Sequence, residues 1–77
     1  MRRIVRLVPH EGWRLEVEFA DGAVRWFDAK PFLGYAAFQP LRDPSLFASV
    51  RSGGYYVEWS NGADLSADTL YLEGAPP

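Results

Sequence analysis

At 77 residues, with three Trp, four Tyr, five Phe and 48% hydrophobic side chains, the chain carries enough apolar mass for one small domain and no second one. Having no cysteine, it can form neither disulfide staples nor thiolate metal sites, so packing must hold the fold. A net charge of −2, with Arg2, Arg3 and Arg6 as the one local basic cluster, argues against non-specific nucleic-acid binding, which needs clustered cations to displace counterions.

In chain order, Arg2 to Val8 alternates charged with branched apolar residues and reads as a first strand stopping at Pro9, with Pro9-His10-Glu11-Gly12 as a turn. Trp13, Leu15, Val17 and Phe19 then alternate with Arg14, Glu16 and Glu18, the pattern of a half-buried strand. Asp21-Gly22 follows, a dipeptide favoured in two-residue type I′ loops, and Ala23 to Asp28 returns as the partner strand. Such a loop predicts a register. Phe19 faces Val24, Glu18 faces Arg25, Val17 faces Trp26 and Glu16 faces Phe27. Leu15, Val17, Phe19, Val24 and Trp26 then share the core face, and Phe27 lies on the charged face beside Glu16.

Asp28 suits an Asx-turn out of the strand, and Pro31-Phe32-Leu33 suits a single helical turn ending at Gly34. Residues 35–41 are apolar without a clear period and receive no assignment. Asp43 as N-cap, Pro44 at the first helical position and the stripe Leu46, Phe47, Val50 predict a short helix. Gly53-Gly54 marks a break before a strand from Tyr55 to Trp59, with Tyr55, Val57 and Trp59 on one face and Tyr56 on the other. Asn61-Gly62 is a second tight turn, leading into Ala63-Asp64-Leu65 and a last helix capped by Ser66 and ended by Gly74. These elements predict an α+β fold, a small antiparallel sheet of about 4–5 strands with two short helices, as a single domain over residues 1–73. The tail 74–77, ending in two prolines, is expected to fray.

Several of these residues together resemble domain-of-unknown-function family 2442, a group of small bacterial proteins. The resemblance rests on Phe19-Ala20-Asp21-Gly22, Phe27-Asp28, Leu41-Arg42-Asp43 with Phe47, and Trp59-Ser60-Asn61-Gly62-Ala63-Asp64-Leu65 followed by Leu70-Tyr71. It covers about Val5 to Leu72, and Ser60 stands where the family typically has proline. What the resemblance implies is a compact α+β domain without an established activity. It also implies relatives found alone or joined to a helix-turn-helix segment, often encoded beside another small protein in the manner of a toxin–antitoxin pair.

The chemistry on offer is sparse. His10 is the sole histidine, so a zinc site of three or four His, Cys and carboxylate ligands has too few of them, and His10 reads as an exposed turn residue. No nucleophile-elbow motif frames any serine, which leaves a triad of His10, Ser60 and Asp64 as a chance combination. The family-signature positions Asp21, Gly22, Asp28, Trp59, Asn61, Gly62 and Asp64 read as turn and packing residues, with Asp64 partly buried among aromatics. Neither glycine loop has phosphate-loop spacing, so no cofactor or metal is expected. No apolar run reaches the roughly 20 residues of a membrane span, and Arg6 and Pro9 interrupt the start, so a cytoplasmic location is expected. The expectation for function is a non-enzymatic, protein-binding or accessory module, its partner another small protein or a second copy of itself. Phe27, Tyr56 and Glu16 are the candidate interaction surface. A DNA-associated regulator and an enzyme of unrecognised site remain the alternatives.

Overall fold

A computed structural model describes residues 2–77. Six strands run Ile4–His10 (β1), Arg14–Phe19 (β2), Val24–Asp28 (β3), Arg51–Ser52 (β4), Tyr56–Glu58 (β5) and Asp64–Ser66 (β6). Two short α-helices are Pro44–Phe47 (α1) and Ala67–Glu73 (α2), and 3₁₀ segments cover Lys30–Phe32 and Ala36–Arg42. The strands form two antiparallel three-stranded sheets, β1-β2-β3 and β4-β5-β6, so the small α+β fold stands while its sheet is divided in two. The Ile4 N–H donates to the Gly54 carbonyl at 2.7 Å and ties the two sheets together.

The first hairpin corrects the sequence reading. Gly22 has φ 88°, but Asp21 does not share its positive φ, so the loop is not type I′. The Phe19 N–H donates to the Ala23 carbonyl and the Gly22 N–H to the Phe19 carbonyl, enclosing three loop residues, Ala20-Asp21-Gly22. One extra loop residue slips the register by one. Leu15 faces Phe27, Glu16 faces Trp26 and Val17 faces Arg25. Because side chains alternate with period two, the slip exchanges the faces of Trp26 and Phe27. Phe27 is a core residue, 1% exposed, and Trp26 lies on the outer face opposite that of Val17.

Three further expectations need correction. β1 continues through Pro9 to His10, and the turn is Glu11-Gly12-Trp13. Proline is tolerated there because β1 is an edge strand. Asp64 is exposed in β6 opposite Glu58 rather than partly buried. The tail is held at Ala75, which exchanges two backbone hydrogen bonds with Trp26 at 2.8 and 2.9 Å and covers the edge of β3 there. Gly74 permits this approach. It has φ −77°, and a Cβ there would lie 2.5 Å from the Leu70 carbonyl oxygen and 2.9 Å from the Arg25 Cβ.

The core fills the space between the sheets and the helical segments. Leu15, Val17, Phe19 and Phe27 come from the first sheet, Val57 from the second, Trp59 from the residue after β5, and Leu41, Phe47, Ala67 and Leu70 from the helical segments. Burying Trp59 leaves no orphan donor, because its indole N–H donates to the Phe47 carbonyl at 2.9 Å. α1 starts as expected, with the Asp43 carboxylate accepting from the Ser45 N–H at 3.0 Å and the Ser45 hydroxyl at 2.8 Å. Those bonds, the hydroxyl's first, hold the Asp43 carboxyl below its ordinary pKa. α2 is capped by Ser66, whose oxygen accepts from the Thr69 N–H at 3.1 Å. Among the described residues, no helix is long and apolar enough to cross a membrane.

Candidate functional site

Slipping the hairpin brings together side chains that the expected register kept apart. On the outer face of the first sheet, Arg14 and Glu16 of β2 stand beside His10 and Val8 of β1 and Asp28 and Trp26 of β3. The His10 Nε2–H donates to Glu16 Oε1 at 3.0 Å, and Arg6 Nη1 donates to Glu16 Oε2 at 2.8 Å. Thus one carboxylate joins two basic side chains. The His10 ring lies 4.7 Å from that of Trp26, and the Arg14 guanidinium lies 5.3 Å from the Trp26 ring centroid. The half-buried indole thus meets both an imidazole and a cation, in contacts of roughly 0.5–1.5 kcal/mol each.

His10 also reaches a hollow of about 450 Å³, walled by Pro9, Gly12 and Trp13 on one side and Pro44, Phe47 and Ala48 on the other, with Glu11 at its rim. The hollow exists because of the β1–β2 turn. Gly12 has φ 77° and Trp13 has φ 59°, and Trp13 is the only described non-glycine residue with positive φ. A bulky side chain in that region is strained, and such strain persists only where the surroundings over-determine it. Here they do. The Trp13 indole N–H donates to the Leu41 carbonyl at 2.7 Å, and its own carbonyl accepts from the Ala29 N–H at 2.8 Å. Trp13 is thereby fixed between the turn and the 3₁₀ segment that leads into α1.

The expected surface of Phe27, Tyr56 and Glu16 is not one site. Phe27 is inside the core, its ring 5.3 Å from that of Phe32. Tyr56 is 45% exposed but belongs to β5 in the second sheet, where its ring lies against Gly53. Glu16 alone is at the cluster described above. Tyr55, expected on the buried face with Val57 and Trp59, is instead exposed just before β5 begins. His10, read as an exposed turn residue, is partly buried in a strand and bonded to Glu16. The signal that would have found it is the alternation of Arg6, Val8 and His10, which continues across Pro9.

The signature positions lie elsewhere. Asp21 and Asn61 accept from the backbone N–H two residues on, at 2.9 and 3.1 Å, and Asp28 accepts from Lys30 N–H at 3.0 Å. Ser60 is paired with Ser49, at 3.1 Å between hydroxyl oxygens, so His10, Ser60 and Asp64 form no triad. Among the described residues no group of three His, Asp or Glu side chains is placed to hold a metal ion.

The sequence profile of the family described as Protein of unknown function (DUF2442) matches residues 4–76. The chain belongs to this family. No curated protein and no solved structure gives a significant match.

Proposed function

We propose that the chain is a non-enzymatic binding module that seats an apolar side chain of another protein in the hollow between the β1–β2 turn and α1. The observation that carries this reading is the makeup of the hollow. Its walls are Pro9, Trp13, Pro44, Phe47 and Ala48, and its polar lining is confined to His10 and Glu11. Pockets of roughly 300–1,000 Å³ with apolar walls and few convergent polar groups are the usual form of a binding site. At about 450 Å³ this one has room for an aromatic or branched side chain together with part of the peptide that carries it. Trp26 and Arg14 beside His10 are of the residue types that most often anchor interfaces.

Pairing through a strand edge of the first sheet is less favoured. Ala75 occupies the β3 edge at Trp26, while the β1 edge carries Pro9 and spends the Ile4 N–H on Gly54. A non-catalytic role is supported by Glu16, the carboxylate on His10, being already bonded to Arg6. Mixed charge on the outer face, with Arg6 and Arg14 among Glu16, Glu18 and Asp28, suits a protein partner better than a polyanion. A small protein encoded alongside, as the family resemblance implies, is the natural candidate, with a cytoplasmic setting and no cofactor.

The test is to select binders from a displayed random-peptide library and map the best one by ¹⁵N chemical-shift perturbation. Shifts should cluster at residues 9–13 and 44–48. Ala48→Trp, which fills the hollow from an exposed position, should weaken binding at least tenfold with the circular dichroism unchanged. Should that variant unfold, Ala48→Leu takes its place. Shifts centred elsewhere, or undiminished binding by the folded variant, would overturn the proposal.

A further inference from the structure

A second feature, independent of the hollow, lies where β3 meets α2. Tyr71 on α2 is partly buried and meets Phe19 edge-on, at 5.2 Å between ring centroids. Two guanidiniums lie over the same ring, Arg2 at 3.7 Å and Arg25 at 4.3 Å from its centroid. The two cationic carbons are therefore at most about 8 Å apart, although they come from positions 23 residues apart in sequence. Arg2 and Arg3 also line a hollow of about 580 Å³ completed by Phe19, Ala20 and Asp21. Arg2 thus shares the Tyr71 ring with Arg25 and the hollow with Arg3, in a net-acidic protein with eight cationic side chains.

The neighbouring carboxylates leave this charge incompletely neutralised. Asp68 lies 3.6 Å from Arg2, well beyond the roughly 2.7–2.9 Å of a charge-assisted hydrogen bond, and both side chains are substantially exposed. Asp21 uses one oxygen as acceptor for the Ala23 N–H. Among the described residues Arg3 and Arg25 have no carboxylate within 4.0 Å, and Arg25 spends one N–H on the Val24 carbonyl at 2.9 Å. Contact with the Tyr71 ring holds both guanidiniums close to it and leaves N–H groups free to donate. That is the preorganisation a tetrahedral oxyanion requires, because its oxygens accept paired N–H bonds from such forks.

We propose that Arg2, held over Tyr71 beside Arg25 and sharing the hollow with Arg3, forms with those two arginines a binding site for a phosphate-class dianion, free or as a terminal monoester. Tyr71 is a positioning residue, and the three arginines supply the donors.

Titration of ¹⁵N-labelled full-length protein with inorganic phosphate, at ionic strength held constant with chloride, tests the assignment. A parallel titration with phosphoserine separates free from esterified phosphate. Saturable shifts confined to residues 2–3, 19–21, 25 and 71 are expected, with at least fivefold weaker binding in Arg25→Gln and in Arg3→Gln. A stronger response to phosphoserine assigns the monoester, and a response to phosphate alone assigns the free ion. Chloride shifting the same amides equally would overturn the proposal, as would non-saturating shifts or full affinity in both folded variants. Arg3→Gln keeps the test decisive if Arg25→Gln, which lies within β3, fails to fold.

Discussion

Exchanging the faces of Trp26 and Phe27 has a direct energetic consequence. Phe27 is 1% exposed, sits opposite Leu15 and packs on Phe32, so Phe27→Ala removes a whole core ring and leaves a cavity. Substitutions of this kind cost about 3–5 kcal/mol. Domains of this size are stable by about 5–15 kcal/mol in all, so the variant should be close to unfolding. Trp26→Ala, on the outer face, loses one ring contact with His10 and one cation contact with Arg14. Those are worth about 1–2 kcal/mol together at a half-exposed site. A type I′ loop at Asp21-Gly22 would reverse the order, placing Trp26 in the core and Phe27 outside. Urea unfolding followed by far-ultraviolet circular dichroism distinguishes the two, since fluorescence would change with the removal of a tryptophan. Equal destabilisation, or a larger loss in Trp26→Ala, would refute the register and the outer-face cluster built on it.

Two other predictions test the backbone. Gly22 and Gly62 have φ of 88° and 89° with open space around them, so alanine at either should cost about 1–2 kcal/mol from backbone strain alone. Gly34→Ala, also in open space but without positive φ, serves as the control, and equal melting temperatures for all three would contradict the reading. At Gly74 the obstacle is contact rather than φ, because a Cβ would strike the Leu70 carbonyl and the Arg25 Cβ. Gly74→Ala should therefore release the tail from β3 and raise hydrogen exchange at the Trp26 amide at least tenfold, and unchanged protection would remove the case for a docked tail.

Much of the fold was legible because local chemistry decided it. Asp43-Pro44 and Ser66 marked helix starts that depend on neighbouring side chains, and the alternation in β2 needs only period two. What failed was the count of loop residues. Asp-Gly suits both a two-residue loop with two positive φ values and a three-residue loop with one, and the dipeptide does not distinguish them. Phe27 on the charged face was the warning, because a phenylalanine opposite Glu16 has no reason to be there. Residues 35–41 gave no period because they form a 3₁₀ segment containing Pro40, with Leu41 as its one buried residue. The candidate site was less legible still. Trp13 meets Leu41, and Pro9 and Phe47 come to line one hollow, only after the chain has folded, and no spacing in the sequence encodes either arrangement.

Three of the four hairpin reversals bear on placing the proposed site at the β1–β2 turn. Phe19-Ala20-Asp21-Gly22-Ala23 and Trp59-Ser60-Asn61-Gly62-Ala63 are built alike. In each, a buried aromatic donates its N–H to the alanine carbonyl, the glycine N–H returns to the aromatic carbonyl, and the Asx side chain accepts from the alanine N–H. Each closes with one glycine in the positive-φ region, so the geometry is met at little cost. The β1–β2 turn does not follow that pattern. It places a tryptophan in the left-handed region, where glycine or asparagine would relieve roughly 1–2 kcal/mol of strain. One return is the bond from the indole to the Leu41 carbonyl, which anchors the 3₁₀ segment. A bond of that kind nets about 0.5–1.5 kcal/mol, comparable to the strain rather than well above it. Anchoring therefore accounts for holding Trp13 in place but provides little surplus for choosing it. The second consequence of its position is the apolar wall it gives the hollow beside His10, and a glycine or asparagine there would leave that wall open.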